Sequence, residues 1–94
     1  MAVVSASTDA TRDLDQIWSF IATDNMDAAD VFLDHIWKRC QSYANQPMLG
    51  EMRSDLAQQI RCFSVGSYVA FYRPSPVGID LVRVLHGARD IHRL

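Results

Sequence analysis

The segment "RVLHGARDIHRL", residues 83–94, carries three arginines, two histidines and one aspartate, placed where an apolar run ends at Gly87. Cleavage of a phosphodiester needs a base, an acid and cations for the phosphate within hydrogen-bond reach of one another. His86, His92, Arg83 and Arg89 are of the right types for those roles. A histidine at the end of an apolar strand is more often packed or solvated than catalytic, however, and a glycine separates these two. The His-x5-His spacing matches no common metal motif, and neither Cys40 nor Cys62 is near it. No metal and no cofactor is expected.

The other residues with chemistry to offer are arginines. Residues 1–52 carry three bases against eight acids, whereas residues 53–94 carry six arginines against three aspartates. The net charge of −2 thus hides an acidic half followed by a basic one. A general nucleic-acid binder is usually more basic overall, so no direct sequence-specific nucleic-acid contact is expected. An all-arginine basic half suits carboxylate or phosphate partners met by one face. On extended strands, Arg61 alternates with Ile60 and Cys62, and Arg83 with Val82 and Val84. Either the two stand together as a basic patch, or each pairs with a nearby carboxylate such as Asp80 or Asp90.

The elements that must position these residues follow from periodicity. "AVVSA" (2–6) suggests a short, weak strand. Ala10, Leu14, Ile17, Trp18 and Ile21 recur at helical spacing from about Asp9 to Asp24, with Asp9 and Asp13 near the start. Asn25 suits an N-cap for a second helix from about Asp27 to Ala44, and so short a link makes an antiparallel hairpin. Pro47 and Gly50 turn "NQPMLGEMRSDL" into a connecting loop. "IRCFSV" and "YVAFYR" read as a β-hairpin around a type II′ Gly66–Ser67 turn. "PSPVG" is another turn, and "IDLVRVLH" a third, nearly continuously apolar strand. The expected fold class is α+β: a short N-terminal strand and a two-helix hairpin packed on a small antiparallel sheet. Because "YVAFYR" is apolar on both faces while two helices cover one, part of Tyr68, Ala70 and Tyr72, or of Val69 and Phe71, is expected to stay exposed for a partner.

At 94 residues and 49% hydrophobic content, the chain fits a single globular domain spanning residues 1–94. No apolar stretch of about 20 residues is present, so no membrane partner is expected. The first fifteen residues lack the basic start and apolar core of a signal peptide. The expected setting is the cytoplasm, with Cys40 and Cys62 as buried free thiols.

The segments "DLDQIWSFIA", "QPMLGEMRSDL", "IRCFSVGSYVAFYR" and "IDLVRVLHGARD", in this order and spacing, resemble the ParE branch of the RelE/ParE superfamily of bacterial toxins. The resemblance covers roughly residues 7–92. It implies two helices on an antiparallel sheet and a role as the toxin of a two-component toxin–antitoxin module. Such a toxin inhibits DNA gyrase and is neutralised by a ParD-type antitoxin in a hetero-oligomeric complex. The RelE branch shares the fold but cleaves messenger RNA on the ribosome, with lysines, arginines and often a terminal tyrosine. Arg61 and Arg89 stand in comparable places here, yet no lysine follows Lys38 and residues 91–94 hold no tyrosine. The resemblance therefore implies a non-enzymatic inhibitor, with the ribosome-dependent endonuclease as the alternative. Candidates for target recognition are Arg61, Tyr72, Arg83, His86, Arg89, Asp90 and His92. Candidates for antitoxin binding are Trp18, Ile21, Phe32, Arg53, Arg61 and Arg73.

Overall fold

The computed structural model describes residues 2–87. Along the chain run strand β1 (Val3–Ala6), helices α1 (Thr8–Ala22) and α2 (Met26–Asn45), and a 3-10 turn (Pro47–Leu49). Strands β2 (Glu51–Met52), β3 (Arg61–Val65), β4 (Tyr68–Ser75) and β5 (Gly78–His86) follow. Both helices fall within two residues of their expected bounds. Ser7 caps α1 by accepting the Ala10 amide at 3.0 Å, and Asn25 caps α2 by accepting that of Ala28 at 3.0 Å. The Trp18 indole N–H donates to Asp30 at 2.8 Å and ties the two helices of the hairpin together.

The sheet has five strands in the order β1-β5-β4-β3-β2. It is mixed, not wholly antiparallel as expected. β1 lies parallel to β5, with Val3 opposite Gly78 and Ala6 opposite Leu81, while every other pair is antiparallel. The helical hairpin brings the chain out and back, so that the first strand and the last run the same way. The expected loop also contains β2, too short to carry a period-2 signal. At the β3–β4 turn Gly66 has φ 58° whereas Ser67 has no positive φ, as a type II′ turn requires.

One face of the sheet receives Ala10, Leu14, Ile17, Ile36, Cys40 and Ala44 from the helices against Phe63, Val65, Ala70, Tyr72, Ile79, Leu81 and Val84. The opposite face has its own smaller cluster of Ile60, Cys62, Phe71 and Leu85. The segment between β2 and β3 folds over it and contributes Leu56 and Ala57. This corrects the expectation of a bare face on β4. Ala70, Phe71 and Tyr72 are all fully buried, and Tyr68 and Val69 are half-buried. A β-bulge lets both faces of β5 be apolar: opposite Phe71 and Tyr72 the partner jumps from Arg83 to Leu81, so the inward set passes from Leu81 to Val84.

Candidate functional site

β1 covers the edge of β5 only as far as Leu81. Beyond that point the start of α1 takes over the backbone pairing. The Ser7 amide donates to the Leu81 carbonyl at 2.9 Å, and the Ser7 hydroxyl to that of Val82 at 2.8 Å. Asp13 completes the edge. Its carboxylate accepts the Val84 amide at 3.0 Å and a forked pair from Arg83, Nε at 2.8 Å and Nη2 at 3.0 Å. Asp13 is the buried charged residue of the core, 8% exposed. Among the described residues a carboxylate that answers Arg83 is Asp13, seventy positions away on α1, rather than its strand neighbour Asp80; Asp90 lies outside them. Asp13 was missed as a functional residue. Its signal was legible all the same, because it stands three residues after Ala10 and four before Ile17, on the buried stripe of α1.

On the other side of β4, Arg61 and Tyr72 face each other in register across β3 and β4. Arg61 Nη1 donates to the Met48 carbonyl at 2.9 Å and the Gly50 carbonyl at 2.8 Å. The Tyr72 hydroxyl donates to the Pro47 carbonyl at 2.7 Å and accepts the Gly50 amide at 2.9 Å. Four hydrogen bonds from two strand residues thus fix the loop 47–50. Burial is the main force raising the Tyr72 pKa above its ordinary value, and the hydroxyl stays a donor. As a target-contact candidate Tyr72 is corrected: it is wholly enclosed and acts by seating the loop. Arg61 and Arg83 also do not form one basic patch. β4 separates them, and each is committed to a different segment.

The remaining candidates fall into separate groups. Ile21, Phe32 and His86 line a groove of about 490 Å³ at the tip of the helical hairpin, together with Phe20 and Tyr68. The Phe32 and Tyr68 rings lie 5.9 Å apart, and His86 meets Tyr68 edge-on at 5.5 Å. Trp18 is half-buried beside Asp30. Arg53 makes a forked pair with Asp55, both bonds at 3.0 Å, which raises the arginine's pKa and lowers that of the aspartate. Arg73 is exposed and its Nε donates to the Gln58 carbonyl at 3.4 Å. Arg89, Asp90 and His92 lie outside the described residues.

Among the described residues no cluster of three His, Cys, Asp or Glu side chains could hold a metal. No helix among them is long and apolar enough to cross a membrane. Cys40 is fully buried, and burial, opposed by the Arg39 charge, pushes its thiol from the ordinary 9.0 up to about 11. Folding thus favours the protonated thiol. Stability from this group is complete below pH 9 and is lost as pH climbs toward 11, by about 2–3 kcal/mol in all. Urea titrations at pH 8 and 10.5 should show a smaller decline in Cys40→Ala than in wild type, the remainder belonging to Cys62 and Tyr72, whose burial also raises them; an equal decline in the two proteins would refute the assignment.

The geometry just described has relatives. The fold matches a chain from the chromosomal ParDE TA system of P. aeruginosa with a TM-score of 0.74, covering 92% of this chain and 96% of that one at 17% identity. The family model described as ParE toxin of the type II toxin–antitoxin system parDE matches residues 4–91. Toxin ParE1 of Mycobacterium tuberculosis, from strains CDC 1551 / Oshkosh and ATCC 25618 / H37Rv, is 32% identical over 86 residues, or 89% of this chain and 88% of the relative. The chain belongs to the ParE toxin family, the toxins of type II toxin–antitoxin systems.

Proposed function

We propose that the protein arrests growth by inhibiting DNA gyrase without enzymatic chemistry, in the cytoplasm, and that a ParD-type antitoxin neutralises it in a hetero-oligomeric complex. The observation that carries this reading is the match to the ParE family over residues 4–91, joined to what the arginines do. A phosphate-cleaving site needs cations directed at the substrate. Here Arg83 holds Asp13, and the groove that Arg61 lines contains, among the described residues, no His, Lys, Asp or Glu to serve as acid or base. The polar groups of the described sheet serve to position its loop and its edge. Apolar side chains remain on the outside, among them Phe20, Val31 and Met48, as suits a protein that works through a protein surface.

Purified toxin added to gyrase at micromolar concentration should reduce supercoiling or accumulate cleaved complex, and preincubation with the antitoxin should restore the wild-type rate. An unaffected gyrase would overturn the proposal. Codon-phased cuts in messages after induction would favour the ribonuclease alternative instead.

A further inference from the structure

We infer that the groove between the loop 47–52 and the β4–β5 turn is the docking site for an acidic, apolar segment of the antitoxin, with one carboxylate seated on Arg61. This rests on the reading of the chain as an antitoxin-neutralised toxin. The groove encloses about 450 Å³ and is lined by Met48, Met52, Gln59, Arg61, Pro74 and Pro76. Met48 is 68% exposed and Met52 53% exposed, with exposed Leu49 and Val77 on adjoining turns. Methionine walls adapt to the shape of an apolar segment, and the two prolines stiffen the opposite wall.

Charge selects the occupant. The guanidinium of Arg61 is locked by two carbonyl bonds through Nη1 alone, and its Nε and Nη2 donors have no partner among the described residues. A fixed guanidinium edge beside apolar walls matches a carboxylate in a forked pair. Among the described residues Arg61 is the cation that lines the groove. Of the nearby acids, Asp55 is already taken by Arg53, and Glu51 on β2 also acts on Arg53 without lining the groove. The groove at the hairpin tip offers the opposite setting. Among the described residues neither arginine nor lysine lines it. A carboxylate-bearing segment is therefore directed to the Arg61 groove.

Titration calorimetry of antitoxin against full-length toxin tests the inference. Met48→Glu with Met52→Glu, at exposed positions, should fold as wild type and bind the antitoxin about tenfold more weakly. Replacing acidic residues of the antitoxin singly by their amides should identify one whose loss weakens binding to wild type but not further to Arg61→Met. Hydrogen exchange of the wild-type complex should show protection at residues 48–52 and at the Ser75 and Val77 amides, the prolines having none. Binding by the double glutamate variant within about twofold of wild type, with those segments unprotected, would overturn the docking site while leaving the toxin–antitoxin reading intact. An antitoxin that fails to bind wild-type toxin would overturn both.

Discussion

Asp13→Ala is expected to cost the fold about 3 kcal/mol, read as a drop in the urea midpoint with little change in slope. Three donors converge on this carboxylate: two from Arg83 and the amide of Val84. Removing it strands a backbone N–H beyond the reach of β1, which alone costs about 1–3 kcal/mol. It also takes from the Arg83 guanidinium the carboxylate of its forked pair. The Arg83 side chain is 23% exposed, so water recovers part of that loss and the sum falls at the low end for a broken buried pair. In a domain of this size such a loss lowers Tm on the order of 15 °C. Asp13→Asn keeps an acceptor for Val84 and should lose about half as much. In the double variant with Arg83→Met the guanidinium is gone as well, so its cost should be well below the two single losses added together. Singles that simply add, or an alanine variant within about 1 kcal/mol of wild type, would show that the pair does not hold the edge.

That edge matters for function because of what it carries. On its β1 side β5 runs past Leu81 without a paired strand, and Ser7 and Asp13 hold that edge while β4 pairs the other as far as His86. Any contact made by Arg89, Asp90 or His92 is delivered from that point. The histidines that first suggest acid–base chemistry thus begin on a strand whose own arginine is already turned to structural use. His86 itself packs edge-on against Tyr68 at the hairpin tip.

How much of this was legible in the sequence depends on the range of the interaction. α1, α2 and the β3–β4 turn are local, and apolar spacing, Asn25 and Gly66 marked them. The parallel pairing of β1 is not local. Four small residues have no informative period, and their direction is decided only when the helical hairpin returns the chain. The cover over Phe71 and Ile60 comes from Leu56 and Ala57 in a segment with no periodicity at all. Arg61 was singled out for its charge, and its charge is not what it uses within the fold. Its partners are the carbonyls of Met48 and Gly50, which every residue type possesses and no sequence pattern reveals. Tyr72 was misplaced for a related reason, since a tyrosine seating a loop and one awaiting a partner look alike in sequence.

The loop they seat gives the second large effect. Gly50→Ala should destabilise the protein by about 2–3 kcal/mol, because the added methyl would overlap the Tyr72 hydroxyl and stand 2.8 Å from two of its ring carbons. The ring cannot swing aside, being fully buried and packed at 5.9 Å from Tyr43 and 6.1 Å from Phe63. The loop must move instead. It would surrender the Gly50 amide bond to Tyr72 and loosen the two carbonyl bonds to Arg61, with Met48 and Leu49 carried along. Tyr72→Phe alone removes the hydroxyl, leaves the Gly50 amide and Pro47 carbonyl unpaired, and should cost about 1–2 kcal/mol. Combined, the two changes should cost less than their sum, since phenylalanine removes the hydroxyl overlap while the two ring carbons at 2.8 Å remain. Antitoxin affinity separates this account from a general loss of stability. Measured where all variants remain folded, Gly50→Ala should weaken binding about tenfold and Asp13→Ala should leave it near wild type, because only the first displaces the wall that Met48 forms. Equal losses of affinity in the two variants would mean that the loop has no special part in recognition.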